Sequence, residues 1–458
     1  MIKQFKAAVP TYDKMHTWEC YSKELDVEYK QSIEEGKDIE AYKAIFDAVI
    51  DLPCNEYKDE IAETLHKMVL NAPMVEGYPH VEPSDLESIK KERKEYPLEL
   101  KTPTDEELDD KILGAWYGRI CGCLLGKPVE GIMSWDLKKI LERTGNYPMT
   151  RYIDKEEITD EVQEGVGYDM KGAAYPRDFG RMPPDDDTNY MILGYRILQI
   201  FGPNFTSDNV AHLWLSQQIM AAYCTAERVA YRNFILGHRP PVSAVQHNPY
   251  REWIGAQIRG DFFGYFNPCN PELAAEMAHR DACISHVKNG IYGEMWVSAM
   301  LAAAFGTNNI EDIIKRGLAE VPANSRLYKA VNKIIDDYHR GITIEECFED
   351  IHSRWDERNG PDWTHTVSNA EIVAASLLWG EGDYAKSVGY SVMVGYDTDC
   401  NGATVGSVLG VMKGYDALPR EFTDRVCDTL DSNIIGYNRV SIKDMAKRTV
   451  SLIKYFKK

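Results

Sequence analysis

Two rows of glycine constrain this chain more than any other feature. Gly114, Gly118, Gly122 and Gly126 recur every fourth residue in GAWYGRICGCLLG, and Gly402, Gly406, Gly410 and Gly414 do the same in GATVGSVLGVMKG. A four-residue repeat lays each set along one face of a helix. Each glycine inside a helix costs about 0.5–1 kcal/mol relative to alanine, so a ladder needs a compensating gain. Close backbone approach between crossing helices supplies it, because ridges without side chains let the two axes come together. Taken alone, the ladders are satisfied by close packing. The alternative is that the tight crossing fixes a site at the helix ends.

Acidic triplets stand at such ends. Asp397-Thr398-Asp399-Cys400 runs directly into the second ladder. A helix is expected to begin near Asp399, and Asp397 and Asp399 converge because residues i and i+2 of an extended lead-in point the same way. Asp185-Asp186-Asp187-Thr188 follows Pro183-Pro184 and precedes the apolar run Tyr190 to Ile200, so it too reads as a loop-to-helix junction. Either triplet alone is satisfied as a solvated helix cap. Brought together in a core they repel, and the helix dipole offsets only about 0.3–1 kcal/mol per charge. A divalent cation would resolve the conflict, and oxygen ligands favour Mg²⁺, Mn²⁺ or Ca²⁺ over Zn²⁺.

The rest of the sequence predicts helices almost throughout. Capping-box patterns occur at Ser84-x-x-Glu87, Thr104-x-x-Glu107 and Thr343-x-x-Glu346. Helix-period apolar runs cover 112–125, 190–200, 210–223, 327–338, 367–379 and 442–455. Residues 1–104 form a Lys- and Glu-rich helical extension without a cluster of catalytic residue types, with a Pro-rich linker at 71–83. The KTPTDEE hinge opens a second region, 105–458, in which 224–270 and 355–366 read as irregular.

The net charge of −20, from 72 acidic and 52 basic residues, argues against nucleic acid as a partner, since phosphate contacts need clustered Lys and Arg. No apolar run is long enough to cross a bilayer, so no membrane partner is expected. The start, MIKQFKAAVPTYDK, lacks a long apolar segment, and the ten cysteines are scattered without a CxxC pair. The expectation is a cytoplasmic protein with reduced thiols.

Three blocks in order resemble the ADP-ribosylglycohydrolase family: GAWYGRICGCLLGKPVEG (114–131), PDDDTNY (184–190) and GYDTDCNGATVGSVLG (395–410). The stretch PELAAEMAHRDACISHVKNGIYGEMW (271–296) is similar in style. The resemblance covers about residues 105–458. It implies an all-α, orthogonal multi-helix bundle with a central metal cleft holding two Mg²⁺ or Mn²⁺ ions. It assigns Asp185, Asp186 and Asp187 to one half of the metal site and Asp397, Asp399 and Cys400 to the other. Glu130 falls on the acidic residue that lines the cleft after the first helix, and Glu130, Asp187 and Asp399 are the candidate catalytic groups.

Three positions depart from the family pattern: Asp185 and Cys400 stand where threonine is usual, and Cys123 where aspartate is usual. A thiol is a poor ligand for Mg²⁺.

The activity implied is hydrolysis of an N- or O-glycosidic bond to a ribosyl group on a small molecule or a protein. A glycohydrolase acting on a free nucleoside or other small glycosyl compound is the alternative, as is a non-catalytic, crystallin-like relative. Four further residues are candidate substrate contacts. His286 and Glu294 flank Asn289-Gly290, which reads as a turn. Arg259, beside Asp261, and His365 are candidates to line the cleft. Arg177 and Arg181 precede the first triplet and could meet a pyrophosphate. The oligomeric state is not legible from the sequence.

Overall fold

In the computed structural model, residues 16–457 are described apart from 174, 176, 177 and 179. The chain is helical along most of its length, as the all-α expectation requires, with one two-stranded antiparallel ribbon that pairs Thr429–Asp431 with Arg439–Ser441.

The first ladder helix spans Asp105–Gly126 and the second Thr398–Lys413. They run in opposite directions with their glycine rows face to face. A Cβ added to Gly114, Gly118 or Gly122 would land on the carbonyl oxygen of Gly410, Gly406 or Gly402, and the converse holds for each partner. The last rung joins Gly126 to Thr398, whose Oγ1 donates to the Gly126 carbonyl at 2.9 Å. Gly414 departs from the ladder. With φ of +80° it terminates the second helix, a left-handed position that glycine takes at little cost.

The second ladder helix is buried along nearly its whole length, against Lys288–Ala304, Thr366–Gly380 and Tyr384–Met393. Ile442–Phe456 covers the outer side of the first. The Thr104 and Thr343 capping boxes both form. The Ser84 box does not. Asp85 instead caps Leu86–Lys91 through the Ser88 N–H at 2.9 Å, and Ser84 Oγ accepts from the Lys288 N–H at 3.1 Å. A carboxylate one residue further on is the stronger acceptor for those amides.

Two further expectations are corrected. The stretch read as irregular contains the helix Thr225–Ile235, whose buried Ala226 and Val229 pack with Val27, Tyr250 and Trp253. Asn289 and Gly290 are not a turn. They lie in the first turn of Lys288–Ala304, where Gly290 is pressed against the Arg251 carbonyl and the His286 ring.

The N-terminal segment has an apolar cluster of its own, built from Tyr21, Leu25, Ile39, Phe46, Val49, Ala62, Leu65 and Val69. Its joint with the rest of the chain is polar. Arg251 pairs with Glu28 at 3.0 Å and with Glu35. Arg326 pairs with Glu82 at 2.9 Å and Glu252 at 2.7 Å, and Lys30 pairs with Asp362. The Pro-rich stretch read as a linker thus delivers a buried anchor, Glu82.

Candidate metal centre

The last rung of the ladder decides where the acidic residues meet. Because Gly126 abuts Thr398, the residues that follow the first helix are brought against the N-terminus of the second. Gly395 and Tyr396 both take positive φ, +83° and +58°. For tyrosine this backbone carries a strain of about 1–3 kcal/mol. The buried ring is tied down where Tyr396 Oη donates to the Trp355 carbonyl at 2.7 Å. The bend turns the chain sharply into the second helix, with Asp397 at its N-cap and Asp399 in its first turn.

The other triplet opens the helix Asp186–Phe201. Asp185 is its N-cap, and its Oδ1 accepts from the Asp187 N–H at 3.0 Å. The two triplets are bridged by one face of the first ladder helix. Arg119, Cys123 and Lys127 are spaced by four, one residue round from the glycines. Arg119 donates to Asp187 Oδ1 at 2.7 Å, to the Asp187 carbonyl at 2.9 Å and to Asp261 Oδ2 at 2.8 Å. Lys127 pairs with Asp185.

Two groups of ligand atoms result. In one, Cys123, Asp185, Asp187 and Asp399 each place one ligand atom within 4.8 Å of all the others; in the second, Asp397, Asp399 and Cys400 do the same. All of these residues are buried. With metal–ligand bonds of about 2.0–2.3 Å, two ligands on opposite sides of one ion stand about 4.0–4.6 Å apart, close to the 4.8 Å that bounds each group.

The hydrogen bonding agrees. Asp187 Oδ2 and Asp399 Oδ1 are buried and have no partner among the described residues. An unpaired buried acceptor costs about 1–3 kcal/mol, and more when charged. Arg119 and Lys127 are the only cations paired with the two triplets among the described residues, and Asp397, Asp399, Asp186 and Glu130 share none. Burial pushes the Asp187 and Asp399 carboxyls well above the usual carboxylate range, with neighbouring carboxylates adding to the shift. Burial likewise raises Asp397 to about 6. Glu130, whose residue surface opens to solvent at the mouth, is lifted to about 7 by the protein around its carboxyl and then by Asp397 and Asp185. A bound cation is the group that such an arrangement fits.

The remaining candidates have partners of their own. Arg259 is buried and pairs with Asp281 at 2.6 Å, Glu227 at 2.8 Å and Glu294 at 3.5 Å. Its guanidinium lies over the rings of Tyr190 and Trp214. His286 is buried, with Nδ1 2.8 Å from Ser285 Oγ, and burial holds its pKa well down. His365 stacks on Trp355 and faces Glu34 of the extension at 3.5 Å. Among the described residues, none of Arg259, His286, Glu294 and His365 is hydrogen bonded to either triplet. Arg181 pairs with Asp431 at 2.7 Å, and Arg177 lies outside the described residues.

Sequence reasoning singled out neither Arg119 nor Lys127. The signal was present in their spacing: a positive, a thiol and a positive residue at i, i+4 and i+8 along a helix whose adjacent row is glycine.

The fold is that of a helical protein whose glycine-packed crossing ends in a buried cluster of carboxylates and thiols. The family model described as ADP-ribosylglycohydrolase matches residues 104–456, and the chain belongs to that family. The match begins at Thr104, the cap of the first ladder helix. A solved structure described as "ADP-ribosylglycohydrolase-related protein complex" is similar at 17% identity with a TM-score of 0.47, covering 76% of this chain and 99% of that one. No curated protein matches the chain in sequence. Among the described residues, no helix is long and apolar enough to cross a membrane.

Proposed function

We propose that this chain hydrolyses an N- or O-glycosidic bond to a ribosyl group of ADP-ribosyl type, using divalent cations held between the two acidic triplets. The observation that carries this reading is the pair of orphaned oxygens, Asp187 Oδ2 and Asp399 Oδ1, whose residues come from opposite triplets and belong to one ligand group.

Asp186, Asp187, Asp397 and Asp399 are the carboxylate ligands in this reading. When bound, divalent cations supply positive charge and Lewis acidity for the ribose hydroxyls. The chain's own residues do the rest. Arg119 fixes Asp187 in one rotamer, and Lys127 holds Asp185. Glu130, at the mouth, positions and deprotonates the attacking water. Positive charge developing at the anomeric carbon is stabilised by the surrounding carboxylates.

The test is a hydrolysis panel of ADP-ribosyl-arginine, ADP-ribosyl-serine, free nucleosides and aryl glycosides, each with added divalent metal and with chelator. The expected result is metal-dependent release of ADP-ribose from at least one conjugate. Cleavage of nucleosides or aryl glycosides alone would overturn the ADP-ribosyl assignment. No cleavage of any compound would overturn the reading as a whole.

A further inference from the structure

Cys123 and Cys400 set this centre apart from one built only of oxygen. Cys123 is fully buried, and its Sγ lies in the ligand group with Asp185, Asp187 and Asp399. Cys400 is 6% exposed, and its Sγ lies in the group with Asp397 and Asp399. Each half of the centre thus carries one thiol, and the two halves share Asp399. Cys121, two residues away on the same helix, faces elsewhere and donates to the Phe422 carbonyl at 3.5 Å. The acidic residues do not make the case alone, because two residues of the Cys123 group, Asp187 and Asp399, each carry a buried oxygen without a partner, Oδ2 and Oδ1.

Resting on the proposed metal-dependent reading, we infer that the centre takes a thiophilic divalent cation of the Zn²⁺, Fe²⁺ or Co²⁺ type rather than Mg²⁺, with the thiolates of Cys123 and Cys400 as ligands. Mg²⁺ requires oxygen donors in near-ideal octahedral geometry and keeps several waters. A site offering one sulfur to each ion does not meet the first demand. Thiolate ligands select softer ions. Each S–M bond forms as the thiol S–H gives its proton to solvent, with no change of oxidation state. Asp185 takes a supporting place, because Lys127 and the Asp187 N–H already engage both its oxygens.

The experiment uses the full chain, stripped with chelator and titrated with Co²⁺, Zn²⁺ and Mg²⁺. Wild type, Cys123→Ser, Cys400→Ser and the double variant are compared, with circular dichroism as the check on fold. Bound Co²⁺ is expected to give a near-ultraviolet thiolate-to-metal charge-transfer band, weakened in each single variant and absent in the double. The preference for Zn²⁺ over Mg²⁺, read by competition, should fall by about tenfold or more in the double variant, since loss of even an outer-shell partner of a ligand costs about 10–100-fold in affinity. Cys400→Thr should shift the preference toward Mg²⁺. Co²⁺ bound to wild type without that band would overturn the inference and leave the metal-dependent reading intact. So would a band that survives the double substitution, which would place it on the exposed thiols Cys54, Cys224 or Cys427. If none of the three ions binds, the metal-dependent reading itself fails. Should the variants misfold, the wild-type spectrum is recorded after the exposed thiols Cys54, Cys224 and Cys427 have been alkylated: a band that persists supports the inference, and one that is lost overturns it.

Discussion

Two buried clusters of charge in this molecule use the same residue types to opposite ends. At the joint with the N-terminal segment, the buried carboxyls are answered. Arg251 serves Glu28 and Glu35, and Arg326 serves Glu82 and Glu252. Burial would raise Glu28 and Glu252, yet Arg251 and Arg326 hold both below the usual carboxylate range. At the end of the glycine ladder, Arg119 and Lys127 answer only Asp187 and Asp185 of the two triplets, and burial pushes up the carboxyls of Asp186, Asp187, Asp397 and Asp399. Acidity and burial therefore do not distinguish a site from a joint. What distinguishes them is whether the protein supplies its own counter-ions. A saturated cluster holds the structure together, and an unsaturated one is held open for something else.

That distinction is open to attack first at the joint. Arg251→Ala leaves Glu28 buried without a cation and Glu35 with Lys288 alone, which should cost about 3–5 kcal/mol of stability. Denaturant unfolding measures the loss, and turnover per folded molecule should stay close to wild type. Near-wild-type stability would mean that the joint is not what its pairing suggests.

At the centre the prediction reverses. Asp399→Asn should lower kcat by a factor on the order of 10³, about 4 kcal/mol of barrier. The metal-free protein should be as stable as wild type or more so, because an unpaired buried carboxyl has been removed. Asp187→Asn provides the control: it breaks the Arg119 pair and should cost stability as well as activity. If Asp399→Asn destabilises the metal-free fold as much as Asp187→Asn does, the centre is a structural cluster like the joint.

Gly118→Ala probes what brings the triplets together. The added methyl falls on the Gly406 carbonyl, and backbone cannot give way as a flexible side chain would. Overpacking of this kind costs about 1–3 kcal/mol. Because the same crossing sets Thr398 against Gly126, activity should fall together with melting temperature. Full activity in a destabilised variant would separate the ladder from the site.

The two clusters also differ in how far the sequence reveals them. The ladders and triplets were legible because their signals are local: a four-residue period, and carboxyls one or two residues apart at a helix start. Their convergence could be argued from the second ladder beginning where a triplet ends. The joint was not legible. Arg251 and Glu28 are 223 residues apart, and nothing local marks an arginine as the partner of a distant helix. For the same reason the partners of Arg259 and His365 were not legible: the structure pairs one with Glu227 and Asp281 and sets the other against Glu34. Thr225–Ile235 was missed because its apolar face is narrow and is completed by Val27 from the extension. Arg119 and Lys127 were missed because lysine and arginine on a helix are ordinarily solvated. Only the adjacent glycine row shows that this face is buried.

The smallest effect falls where the joint is least saturated. Burial, opposed by Lys30 and Arg326 but reinforced by Glu252 and Asp362, raises Glu34 to about 7. His365, facing it, is brought down to about 4 by burial. The signs follow from proton binding. Glu34 binds its proton more tightly folded than unfolded, so its contribution to stability is complete below about pH 4.5 and is lost as pH rises through 7. His365 binds its proton less tightly folded, so its contribution is complete above about pH 6.5 and is lost as pH falls toward 4. Below pH 6.5 the two slopes oppose one another. Above it only Glu34 acts, and wild type should lose about 1 kcal/mol on passing from pH 6.5 to 8, since a tenfold change in proton affinity is worth about 1.4 kcal/mol before solvent screening. Glu34→Gln should remove that decline and be the more stable protein at pH 8, while remaining level with wild type below about pH 4. Parallel stability curves for the two proteins between pH 6.5 and 8 would show that Glu34 is ionised throughout, and that this edge of the joint is as fully paired as its centre.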